Sequence, residues 1–214
     1  MLLTNIGYIH HVAIQTSFTT IVSGPTGSGK TQFVVRLIDS ADVLIETTPR
    51  KIVYYFADYK PLFEHYEDRM EFCHRMPKAD AIDRLTDTLV VYDELMDEAD
   101  ERMTTLFMRG SHHRNVSVIF MVQNFFNKNR HMRTISLNVQ YIVLFKNPRD
   151  SSQFIHLAKQ LYPHNSPFAH EAYVDATKRP YSYILLDLRS DQDDDLHLST
   201  NIFPGECQIV YVPK

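Results

Sequence analysis

Eight residues, Gly24-Pro25-Thr26-Gly27-Ser28-Gly29-Lys30-Thr31, constrain this chain more than any other feature. They satisfy the spacing G-x-x-x-x-G-K-[ST] in full. Before them runs Phe18-Thr19-Thr20-Ile21-Val22-Ser23, an apolar, β-branched segment that reads as a buried strand. After them, Phe33, Val34, Leu37 and Ile38 fall on one face of a helix. A strand, a glycine-rich turn and a helix in that order let backbone N–H groups converge beside a positively charged helix end. Such a turn holds phosphate oxygens. The Lys30 ammonium is expected to reach the β- and γ-phosphates, and the Thr31 hydroxyl to ligate Mg2+. ATP and Mg2+ are the expected cofactors.

Downstream, strand and helix patterns alternate. Lys51 to Phe56, Leu89 to Tyr92, Val116 to Val122 and Gln140 to Phe145 read as further strands, and Pro61 to Tyr66 as a short helix. After the third strand, one helical stripe collects Leu95, Met96, Ala99, Met103, Leu106 and Phe107. Another helix turns Phe154, Ile155, Ala158 and Leu161 inward. Beyond Arg179-Pro180, Tyr181 to Leu188 and Leu196 to Ile202 read as an antiparallel pair around the acidic tip Asp191 to Asp195, with Gln208 to Val212 as an edge strand. This predicts an α/β fold: a P-loop NTPase three-layer sandwich with a mostly parallel central sheet and antiparallel C-terminal strands. With 214 residues, one domain over 16–214 is expected, preceded by a lead-in, 1–15, of uncertain structure.

The third strand ends in Asp93-Glu94. An Asp in that position is the expected second Mg2+ contact, and the adjacent Glu is placed to orient and deprotonate an attacking water. One strand-helix unit separates the P-loop from this pair, which fits ATPases of the additional-strand, catalytic-Glu type. Gln123 closes the fourth strand, and two roles suit it: an amide that senses the terminal phosphate, or one that satisfies a turn. Ser111-His112-His113-Arg114 is no metal site, because adjacent histidines point apart and lack carboxylate partners. Cys73 reads as a buried thiol beside a surface imidazole, His74.

A net charge of −4 argues against a generally basic, nucleic-acid-coating protein but leaves room for a local stripe. The densest basic stretch is Lys128, Arg130, His131 and Arg133, beside Phe125 and Phe126. It suits either a loop that tracks a phosphate backbone or a solvated surface. Tyr54, Tyr55 and Tyr59 read as packing rather than base-stacking residues. Two cysteines fit a reducing compartment, and no apolar run approaches the ~20 residues a membrane span needs. A soluble intracellular protein without a membrane partner is expected.

The runs GPTGSGKT, VVYDELMDEAD, RGSHHRNVSVIFMVQNFF, RTISLNVQYIVLFKNPRD and TNIFP together resemble the FtsK–HerA superfamily in its viral DNA-packaging branch. They look like the packaging ATPases of Polinton/Maverick elements and adintoviruses; poxvirus packaging ATPases are more distant relatives. The likeness runs from Phe18 to the C-terminus. It implies a homo-oligomeric ring that hydrolyses ATP to drive double-stranded DNA into a capsid, with a capsid or portal component as a further partner. It leaves a host nucleus and a cytoplasmic virus factory undistinguished. Lys30 and Thr31 take the phosphate and metal roles, Asp93 and Glu94 the metal and water roles, and Gln123 the sensor role. Such rings fire with a neighbouring subunit's arginine, worth ~10³–10⁵ in rate where studied. Arg114, Arg133 and Arg149 all stand in matching blocks, with Arg114 and Arg133 preferred.

Two other readings compete. A nucleoside or nucleotide kinase needs an acceptor pocket and an arginine-rich lid, neither of which the sequence displays. A nucleotide-dependent assembly scaffold would bind ATP but turn over little, and intact Lys30, Asp93 and Glu94 count against it.

Overall fold

The computed structural model describes residues 14–110, 114–125, 130–149, 152–191 and 197–213. The histidines His112 and His113, the stretch from Phe126 to Lys128 and most of the acidic tip lie outside these residues.

The strands are β1 (Thr19–Ser23), β2 (Lys51–Phe56), β3 (Glu71–His74), β4 (Thr88–Asp93), β5 (Val116–Val122), β6 (Tyr141–Phe145), β7 (Tyr183–Asp187), β8 (Leu198–Thr200) and β9 (Ile209–Tyr211). They form one sheet in the order β3-β2-β4-β5-β1-β6-β7-β8-β9. From β3 to β6 every neighbour runs parallel, and β7, β8 and β9 then join antiparallel. Central strands β1, β4 and β5 are buried along their whole length, as parallel strands covered on both faces must be.

The helices are α1 (Lys30–Asp39), α2 (Ala41–Leu44), α3 (Ala79–Asp83), α4 (Glu101–Thr105), α5 (Arg130–Asn138), α6 (Ser152–Leu161) and α7 (Ser166–Ala176). The sheet's period of two separates two cores. Tyr54, Phe56, Leu89 and Val91 face the layer of α1, α2 and Phe63. Val53, Tyr55, Val90 and Tyr92 face the layer of α4 to α7. The fold is a three-layer α/β sandwich of the P-loop NTPase kind.

β5 lies between the P-loop strand β1 and the acidic strand β4, whereas β2, which intervenes in sequence, lies outside β4. The inserted strand is therefore Val116–Val122. It was not the segment whose spacing pointed to this arrangement.

Several segments depart from the sequence reading. Glu71–His74 is a strand at the sheet edge. Four residues with polar ends carry too little alternation to announce it, and Cys73 there is only half-buried. Arg130, His131 and Arg133 sit on helix α5 rather than in a loop, held by buried Met132 and Ile135. Helix α7 was not anticipated; Pro167 stands in its first turn, where a missing N–H costs nothing. The single helix expected after Glu94 is broken into a 3-10 turn at Met96–Glu98, α4, and a π turn at Leu106–Gly110. Asp100 restarts the helix by accepting the N–H groups of Arg102 and Met103. The expected stripe nonetheless buries Leu95, Ala99, Met103, Leu106 and Phe107. Of the lead-in, Ile14 is buried and bridges Ile45, pinned by its N–H to the Leu44 carbonyl at 2.7 Å. Among the described residues, no helix is long and apolar enough to cross a membrane.

Candidate nucleotide-binding site

Parallel pairing brings the C-terminal ends of β1, β4, β5 and β2 to one edge of the sheet. Ser23 pairs with Val122, Asp93 with Met121, and Phe56 with Asp93. Each strand opens into a loop there, which is where ligands gather in such sheets.

The turn Gly24–Thr31 leaves β1 and enters α1. The Gly24 N–H donates to the Val122 carbonyl at 3.2 Å, tying the turn to β5. A Cβ on Gly24 would stand 2.7 Å from both the Phe145 Cβ and the Ser28 Oγ. Gly29 has φ 104 and serves as the helix N-cap. That cap supplies no side-chain acceptor, and the first turn of α1 carries no acidic residue. The N–H groups at this helix start therefore meet no carboxylate of their own, which leaves them to an anion.

Lys30 is 5% exposed. Its ammonium donates to the carbonyls of Gly24 at 2.7 Å and Pro25 at 3.2 Å, and lies 3.8 Å from Glu94 Oε1. Burial pushes its pKa below the ordinary lysine value, opposed by the charges of Glu94 and then Asp93. Glu94 holds a left-handed backbone, φ 59, in the turn leaving β4. A regular strand continuation would alternate its side chain to the opposite sheet face from Asp93; the turn instead places Glu94 on the cavity wall beside Lys30.

Asp93 is 1% exposed. Its Oδ2 accepts the Tyr54 hydroxyl at 2.8 Å and the Lys60 ammonium at 2.5 Å. Its Oδ1 is buried without a hydrogen-bond partner among the described residues. The Lys60 ammonium also donates to Thr31 Oγ1 at 3.0 Å. Two oxygens from distant segments thus converge on one positive charge, and a buried carboxylate oxygen stands spare. Hard oxygen donors of that kind fit Mg2+.

A cavity of about 640 Å³ runs over the turn. Its lining combines polar and charged residues, Lys30, Thr31, Lys60 and Glu94 among them, with the aromatic Phe33, Tyr181, Tyr183 and Phe203. Phe33 meets Tyr183 edge-on at 4.7 Å and Phe203 at 5.2 Å, while the Arg36 guanidinium stacks 4.0 Å above Phe203. The C-terminal run around Phe203 therefore builds one wall of this cavity. Such a lining suits a ligand that carries both anionic and aromatic groups.

The remaining candidates divide by position. Gln123 is exposed and directly follows Val122, at the same sheet edge as the P-loop and Asp93. Arg114 lies at the opposite edge, before β5, a separation of roughly 20 Å for seven strand residues. Its guanidinium donates to the Ile82 carbonyl at 2.8 Å and lies 3.7 Å from Asp83. Arg133 is exposed on α5, and Arg149 is exposed just past β6 at the P-loop edge. Sequence reasoning missed Lys60, the Tyr54 contact with Asp93 and the aromatic lining of the cavity. The first two depend on the pairing of β2 with β4 and the third on the C-terminal strands reaching Phe33, which no local pattern reveals.

No family model matches the sequence, and a comparison with curated proteins finds no match. In fold, the chain is similar to the genome packaging NTPase B204 from Sulfolobus turreted icosahedral virus 2, solved in complex with ATP-gammaS. The TM-score is 0.53 at 14% identity, covering 82% of this chain and 95% of that one. At that identity the likeness establishes a shared fold.

Proposed function

We propose that the chain is an ATP-hydrolysing motor of the viral genome-packaging kind, moving double-stranded DNA as part of a homo-oligomeric ring. The observation that carries the reading is one cavity lined by Lys30, Thr31 and Glu94 together with aromatic side chains, with Asp93 joined to it through Lys60. The fold shared with a packaging NTPase, whose structure contains an ATP analogue, supports the same reading.

In this mechanism the N–H groups of the Gly24–Thr31 turn and the α1 terminus cradle the triphosphate, and Lys30 neutralises its β- and γ-oxygens. Thr31 and Asp93 would hold Mg2+, which would supply charge neutralisation at the phosphates. Glu94 accepts a proton from the attacking water as the water oxygen bonds to the γ-phosphorus and ADP leaves. Gln123 aligns that water or reports the γ-phosphate from the end of β5. A partner subunit's arginine, the equivalent of Arg114, Arg133 or Arg149, completes the charge stabilisation. Since Arg114 sits a strand length from Lys30 in its own chain, it serves only across a subunit boundary. Arg130, His131 and Arg133 on α5 offer a basic helix face for the DNA backbone.

Steady-state ATPase rates with and without long duplex DNA, at low and moderate salt, test the motor. Stimulation by duplex that fades with salt is expected; a rate indifferent to DNA removes translocation and leaves the nucleotidase. Glu94→Gln should keep nucleotide binding and lose ~10²–10⁴ in turnover. Intact turnover in that variant would assign water activation to another group.

A further inference from the structure

The metal position already holds a positive charge supplied by the protein. Lys60 Nζ stands 3.0 Å from Thr31 Oγ1 and 2.5 Å from Asp93 Oδ2. These are the two residues that the motif and the strand-end acid, taken separately, assign to Mg2+. Lys60 belongs to neither segment; it follows β2 and precedes Pro61. We propose that the Lys60 ammonium is a resident cation of this metal position, holding Thr31 and Asp93 together until a divalent cation displaces it. The proposal rests on the nucleotide-site reading above.

The charges divide by direct contact. A carboxylate as buried as Asp93 needs a positive partner or a metal, because desolvating it alone is costly. Lys30 is the other lysine of the cavity, but its ammonium is given to the Gly24 and Pro25 carbonyls and to the side of Glu94. Direct contact with Asp93 falls to Lys60, with the Tyr54 hydroxyl as a neutral donor and the Lys30 charge acting at longer range.

Lys60 can also leave. Its side chain is 31% exposed, against 1% for Asp93, and it rides on an extended residue, φ −119, outside the strand. Rotation of a flexible stem withdraws the ammonium without moving the sheet. An ammonium and a divalent ion cannot both occupy the space between the same two oxygens. Metal entry therefore frees Lys60 at the cavity wall, where an incoming triphosphate is its next anionic partner. Metal alone must displace the lysine uncompensated; metal arriving with triphosphate does not. The lysine thus couples metal binding to nucleotide binding and keeps free divalent ions out.

The test is a titration with Mn2+ alone, without nucleotide, followed by electron paramagnetic resonance. Wild type is compared with Lys60→Met, Lys60→Gln and Lys60→Arg. Lys60→Met and Lys60→Gln should bind Mn2+ about 10- to 100-fold tighter than wild type, the range a charge-assisted contact commands. Lys60→Arg, which keeps the charge, should stay near wild type. Equal Mn2+ affinity in wild type and both neutral variants overturns the proposal. Thermal unfolding gives an independent reading. In EDTA, Lys60→Gln should melt about 2–6 °C below wild type, and Mg2+ should close the gap. A gap that Mg2+ leaves unchanged marks Lys60 as a structural tether and also overturns the proposal. Lys51→Met, which removes a surface ion pair with Glu71, should change neither measurement. Binding of ATP-gammaS to wild type is measured separately. Its absence would sink the nucleotide reading, while the Mn2+ comparison still judges Lys60.

Discussion

Tyr54→Phe removes one oxygen from the centre of the molecule. The Tyr54 ring is fully buried and packs against Phe63 and Phe72, at 4.9 and 5.5 Å between centroids. Phenylalanine keeps that packing and deletes only the hydroxyl, which donates to Asp93 Oδ2 at 2.8 Å. A hydrogen bond to a charged acceptor contributes roughly 1.5–3 kcal/mol. Because Lys60 retains its hold on the same oxygen, the lower end applies, ~1.5 kcal/mol. For a chain of this size that is a fall in Tm of roughly 3–6 °C. The clean assay is a double-mutant cycle by urea unfolding on wild type, Tyr54→Phe, Asp93→Ala and the double variant. A coupling of about 1 kcal/mol or more is expected. Additivity within ~0.3 kcal/mol would refute the reasoning, since it would mean that the hydroxyl and the carboxylate act independently.

Two further outcomes follow from the same contacts. Gly24→Ala drives a methyl to 2.7 Å from the Phe145 Cβ and Ser28 Oγ, so calorimetry should find it ~1–3 kcal/mol less stable, with weakened ATP-gammaS binding. Wild-type stability in that assay would show that the turn yields where the packing says it cannot. Burial raises the Tyr55 phenol to about 12 and the Tyr54 phenol well above its ordinary value, the latter also through the charge of Asp93. A phenol whose folded pKa exceeds its unfolded one stabilises the fold below ~10 and loses that contribution as pH rises through the folded value. Stability should therefore fall above pH ~10, with phenolate absorbance rising together with unfolding; tyrosines that titrate while the fold persists would contradict the burial argument.

The legible parts of this protein share a physical property: they are local. The P-loop, the strand before it and the helix after it announce themselves because turn chemistry and period-2 or period-3.6 patterns occupy a few consecutive residues. Strands β1, β2, β4, β5 and β6 were readable because central strands buried on both faces are continuous apolar runs. Edge strand β3 was not, since it buries too little to impose a pattern. Helix α5 was hidden by its charges, which drew attention to a possible DNA contact while Met132 and Ile135 anchored it to the core.

By itself, the sequence determined the glycine-rich turn between strand and helix, the acids at the end of β4 and the α/β sandwich, because each is written in spacing along one segment. Only the tertiary structure decided what surrounds them. Pairing of β2 with β4 delivers Tyr54 and Lys60 to Asp93 from 39 and 33 residues away. The C-terminal strands bring Tyr183 and Phe203 against Phe33 to wall the cavity. These contacts arise from the order of strands in the sheet. That order is set by the burial of two cores at once, a property of the whole chain that no window of residues contains.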